Sequence, residues 1–187
     1  MAISASILAL SFAACNSTVS KQTNNTDSAQ TQMTTTTASI DANNMKPADG
    51  ILAGYINLKN SLAADNGSDA AKSGKEILDA LSKFDNSSLT PEQKKTFLGL
   101  MGDIKENSEH IKENADKIDH QREHFEMLSK DMYDLIKSVS TDKTLYLDSC
   151  PMYDNGKATW LSEIKEIKNP YLGKKMDTCG AVKETLN

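Results

Sequence analysis

Between Ile51 and Val139 the apolar residues of this chain return every three or four positions, a spacing that points to helices packed side by side. The first pattern runs from Ile51 to Asp65 through Ile51, Leu52, Tyr55, Leu58 and Leu62. Asn66-Gly67 stops it, because both residues tolerate the left-handed conformation that ends helices. Ser68 is placed to cap a second helix, whose apolar face is Ala71, Ile77, Leu78, Leu81 and Phe84. Asn86-Ser87-Ser88 breaks that helix. Thr90-Pro91-Glu92-Gln93 starts a third, with Thr as N-cap, Pro at the first helical position and Gln at the third. Its face is Phe97, Leu100, Met101, Ile104 and Ile111; a fourth face is Ile118, Phe125, Leu128, Met132, Leu135, Ile136 and Val139. The last two nearly join in phase. One helix over 91–139 would be unusually long for a globular domain, so a break is expected between Asn114 and Asp119.

After Val139 the period changes. Thr144 to Asp148 alternates as a short strand does, Lys157 to Leu161 is its expected partner, and Asp154-Asn155-Gly156 between them signals a turn. The expected fold is mainly α: an up-and-down four-helix bundle with a small C-terminal β-hairpin and loop lobe.

The front of the chain reads differently. Ile3 to Ala14 is a short apolar run ending in small residues, the pattern of a secretory signal over 1–14, and too short to span a bilayer. Leu10-Ser11-Phe12-Ala13-Ala14-Cys15 resembles the lipobox of bacterial lipoproteins, with Phe12 where Leu is usual. The resemblance implies lipidation of Cys15. No Lys or Arg precedes Lys21, so the true start is expected upstream of Met1. Residues 15–46 then form a tether of Ser, Thr, Asn, Gln and Asp, with too few apolar side chains to offset the entropy of ordering. The folded domain is expected over 47–187. Export would place it outside the reducing cytosol, where disulfides persist. A net charge of -5 and no basic stripe argue against nucleic acid as a partner.

The chemistry-bearing residues lie late in the chain. Cys150-Pro151-Met152 and Met176-x-x-Cys179 each place a cysteine near a methionine. Four sulfurs, Cys150, Met152, Met176 and Cys179, would suit a soft monovalent ion such as Cu(I) if the segment folds back. The other reading is a disulfide between Cys150 and Cys179, which the loop-entropy account values at about 3.5 kcal/mol. Spacing alone leaves both open. His120 and His124 are four apart, so both can face one way on a helix and chelate an ion. His124 is a further ligand to the sulfur set if the tail covers its helix; otherwise it is an interfacial residue bonding the tail's backbone. Arg122 is placed to pin a carbonyl or a carboxylate. No Glu-x-x-His, Cys-x-x-Cys-His, glycine-rich phosphate loop or Gly-x-Ser-x-Gly occurs, and no acid/base pair suggests catalysis.

Taken together, Gln121-Arg122-x-His124-Phe125-x-x-Leu128-Ser129, Cys150-Pro151-Met152, Trp160-Leu161-Ser162, Asn169-Pro170-Tyr171-x-Gly173 and Met176-x-x-Cys179-Gly180 resemble an uncharacterised periplasmic domain. It is found mainly in Bacteroidetes-type lipoproteins, and also fused to adaptor subunits of copper/silver-class heavy-metal efflux pumps. The likeness covers about residues 50–185, with departures at Tyr153 and Leu172, neither of them a sulfur. It implies a context, heavy-metal handling, rather than an activity. The expectation is therefore a lipid-anchored periplasmic protein, not an enzyme, that binds Cu(I) or Ag(I) as a chaperone or efflux accessory. The alternative is a disulfide-locked interaction module of an efflux or envelope complex.

Overall fold

A computed structural model describes Lys46 and residues 48–187. The signal, the lipidation site Cys15 and nearly all of the tether lie outside the described residues. Four helices form where the apolar pattern places them: α1 Asp49–Ala63, α2 Gly67–Ser82, α3 Pro91–Glu113 and α4 Ile118–Val139. The break between the last two falls inside the expected window. Thr90 and Gln93 close a reciprocal capping box at the start of α3. The cap of α2 is Asn66 rather than Ser68. Asn66 Oδ1 accepts from the Asp69 N–H at 3.0 Å, the third helical amide, so the helix starts two residues sooner than a Ser68 cap would allow.

Consecutive helices pack against each other. Two glycines allow the close approach. A Cβ on Gly54 of α1 would sit 2.8 Å from Ile77 Cγ1 of α2, and one on Gly74 of α2 would sit 2.9 Å from the Ser108 carbonyl of α3. At the far end of the hairpin formed by the last two helices, Gln93 Nε2 donates to the Ser138 carbonyl. The polypeptide then forms an antiparallel sheet of β1 Leu145–Ser149, β2 Thr159–Ser162 and β3 Ala181–Leu186, in the order β2-β1-β3. The expected hairpin is present. The third strand was not read from the sequence; it pairs with the other edge of β1 and makes β1 central. Strand β2 lies against α4 and α1. The lobe thus fills the side of the bundle where the first and last helices would otherwise meet face to face, and Trp160, Tyr55, Phe125 and Leu161 are fully buried beneath it.

Polar residues of the helices and the tail hold this junction and the helix ends beside it. Arg122 of α4 donates to the Pro170 carbonyl (2.9 Å), the Leu62 carbonyl (3.1 Å) and Asp65 (2.6 Å). That guanidinium keeps the Asp65 carboxyl below its ordinary range. Tyr55 bonds Ser129 and accepts from the Leu161 N–H at 3.0 Å. Asn169 accepts from the Tyr171 and Leu172 N–H groups and donates to the Cys179 carbonyl. Gln121 donates to the Gly67 and Ile111 carbonyls and so links the first turn of α2 to the last turn of α3. No helix among the described residues is long and apolar enough to cross a membrane.

Candidate metal centre

Cys150 ends up beyond the end of β1 and Cys179 just before β3. These strands are neighbours, so the two residues come together and are bonded as a disulfide, with Cα atoms 5.6 Å apart. A disulfide has no thiolate to offer a metal. In this oxidised form the four-sulfur set is therefore not a ligand set. Met152 and Met176, exposed by 68% and 37%, lie at the surface of the lobe. His124 does not join these sulfurs, nor does it bond the tail's backbone. Its ring turns instead toward α3.

There the structure gathers residues that the sequence keeps apart. The chain has three histidines, His110, His120 and His124, and all three meet at the seam between α3 and α4. One ring nitrogen from each lies within 4.8 Å of those of the other two. His110 and His124 stack with centroids 4.2 Å apart, and His120 meets His124 edge-on at 4.6 Å. The cause is local. Residues 114–117 make a tight turn, in which the Lys117 N–H donates to the Asn114 carbonyl at 3.0 Å and Asn114 Nδ2 reaches back to the His110 carbonyl at 2.8 Å. The turn folds α4 back along α3. His110 and His120 lie almost symmetrically about it, and His124 follows one helical turn beyond His120.

Two neighbours hold the rings. Asn107 of α3 is buried and donates through Nδ2 to the Asp103 carbonyl, four residues back. Its Oδ1 is thereby left as an acceptor, 2.9 Å from His124 Nδ1. The Glu123 carboxylate lies 3.2 Å from His120 Nδ1. His110 is exposed and the other two are half-buried. Burial first, and then the neighbouring His110 and His120, hold the His124 imidazole below its ordinary pKa, which favours the neutral form that metals bind. Further along the seam, burial pushes the Asp131 carboxyl up to about 6, with Asp103 adding to the shift.

Three imidazole nitrogens make a ligand set for zinc, copper, nickel or iron. In a tetrahedral site the ligand nitrogens stand about 3.4 Å apart, from metal–nitrogen bonds of about 2.0–2.1 Å. The rings must therefore close by roughly a further 1.4 Å, the difference from the 4.8 Å spread, and unstack. Exposed His110 is the ring free to make that turn. The sequence reading singled out two of these three histidines and missed His110, as well as the neighbouring Asn107. The near-symmetry of positions 110 and 120 about the expected break was the available signal.

No curated protein and no solved structure matches the chain. A family model described as a protein of unknown function (DUF3347) matches residues 51–144, from the first turn of α1 to just before β1 and including all three histidines, and the chain belongs to that family.

Proposed function

We propose that this protein captures a transition-metal ion in the cell envelope, with His110, His120 and His124 as the protein's ligands. The observation that carries this reading is the convergence of every histidine of the chain on one seam. Two features of the sequence supply the setting. The signal-like run ending at Cys15 suggests a lipid anchor, and the tail motifs resemble domains associated with heavy-metal efflux adaptors. The role is then that of a chaperone or efflux accessory: a binding protein rather than an enzyme, tethered to a membrane and delivering its ion to an efflux adaptor.

The test is direct. Purified protein, freed of metal by a chelator, is titrated with Zn(II) and Cu(II) against a chromophoric competitor. Uptake of one equivalent that is lost in His110→Ala, His120→Ala and His124→Ala variants supports the reading; no uptake by folded wild type rejects it. Labelling with a fatty acid that marks the precursor but not a Cys15→Ser variant supports the anchor.

A second reading concerns Cys150, Met152, Met176 and Cys179 as a Cu(I) or Ag(I) set. The meeting of the two cysteines, each with an exposed methionine within three residues in sequence, favours it. It requires reduction of the disulfide, so it belongs to the reduced protein alone. If neither site takes up metal, the disulfide-locked interaction module is the better account.

A further inference from the structure

We infer that Asn107 and Glu123 present His124 and His120 as Nε2 ligands, making a three-nitrogen centre with an open fourth position, selective for borderline divalent ions such as Cu(II) and Zn(II). The inference rests on the metal reading of the triad and adds to it the ligand atoms, the ion class and two positioning residues.

The argument begins at Asn107. Its carboxamide has one donor end and one acceptor end, and the Asp103 carbonyl can only accept. Rotating the amide by half a turn would set two acceptors against each other. The acceptor end therefore faces His124, and the imidazole proton must sit on Nδ1. The lone pair is then on Nε2. Glu123 acts in the same way on His120, because a carboxylate only accepts. Partners of this kind fix the tautomer and ring orientation of metal-bound histidines and raise their basicity.

The ion class follows from what joins the group and what does not. Among the described residues no cysteine and no carboxylate is part of it. Without thiolate or thioether the site has nothing that favours a soft ion, and without oxygen ligands it does not suit calcium or magnesium. His110 stands exposed at the rim, so the fourth position opens to solvent, where water or a ligand from a receiving protein can enter.

The experiment uses the oxidised protein, labelled with 15N at histidine, together with Asn107→Ala and Asn107→Asp. In metal-free wild type, the His124 ring should carry its proton on Nδ1. Asn107→Ala should abolish that preference and weaken Cu(II) and Zn(II) binding by about 10–100-fold. Asn107→Asp keeps an acceptor and should restore both. A role for Asn107 in packing alone would not move the tautomer signal. A wild-type His124 protonated on Nε2, or equal affinity in wild type and folded Asn107→Ala, overturns the positioning inference while leaving the triad itself standing. Preference for Cu(I) or Ag(I) over Cu(II) at the triad overturns the ion class. Absence of any uptake overturns the metal reading on which both depend.

Discussion

The C-terminal lobe and the α3–α4 seam both concentrate polar and metal-capable residues, but they use them in opposite ways. In the lobe the residues that join it to the bundle are consumed by the fold, while Asp148 and Trp160 Nε1 are buried without hydrogen-bond partners among the described residues. Cys150 is bonded to Cys179, Asn169 spends both ends on backbone groups, Tyr171 donates to the Thr159 carbonyl, and Arg122 reaches across to hold Pro170. At the seam the nitrogens facing the helices are spent on Asn107 and Glu123, and one nitrogen per ring remains uncommitted on at least two rings. A motif rich in cysteine and aromatics here marks a structural clasp. Three unremarkable histidines on helix surfaces mark the site with chemistry to spare. A metal-capable residue is informative to the degree that the fold leaves its ligand atom free.

The difference can be broken from either side. The largest effects on stability should come from the clasp. Replacing both cysteines by serine should cost about 3.5 kcal/mol in chemical denaturation, while leaving Zn(II) affinity at the histidines unchanged. Parallel loss of stability and of metal affinity would show that the two regions are one unit. Arg122→Met should cost about 3 kcal/mol, because it strands the Pro170 and Leu62 carbonyls and the Asp65 charge at once.

A smaller effect sharpens the picture of the lobe interior. Asp148 is fully buried on β1, and neither of its oxygens has a hydrogen-bond partner among the described residues. Burial raises its pKa from the ordinary value to about 7, opposed by the charge of Lys59. The native state therefore holds this proton more tightly than the unfolded chain does. The resulting stabilisation is present in full below about pH 4 and is lost as pH rises through the folded value of about 7. Asp148→Asn should be more stable than wild type at pH 8, by about 1–2 kcal/mol, and the advantage should shrink at pH 5. An advantage independent of pH would show that Asp148 does not titrate in this way. The smallest effect belongs to the seam: His110→Ala should change stability by less than about 0.5 kcal/mol, since the ring is exposed, and yet remove metal binding.

Much of the scaffold was legible because the helices obey local rules. The capping box at Thr90, the Asn66-Gly67 stop and the 3.6-residue period are decided within a few residues of chain. The disulfide was legible as one of two alternatives, and strand pairing, which spacing cannot foresee, brings the two cysteines together. Strand β3 alternates exposed and covered residues from Ala181 to Leu186, yet it is charged at Lys183 and Glu184, and it is held by distant partners, the edge of β1 and the Tyr133 and Lys137 side chains that bond Glu184. The seam was least legible. His110 is exposed although it directly precedes buried Ile111, so it lies off the apolar stripe that the period marks. Its meeting with His124 depends on the angle of a four-residue turn and on the rotation of two helices about their own axes.

The most direct test of the central claim is metal stoichiometry on the oxidised protein, with the Cys150–Cys179 bond verified intact. The account predicts one equivalent of Zn(II) or Cu(II) bound without reductant, and none after all three histidines are replaced by alanine. Uptake of no ion by the oxidised protein, with Cu(I) bound only after reduction and unaffected by the histidine replacements, would contradict it and return the site to the sulfurs of the lobe.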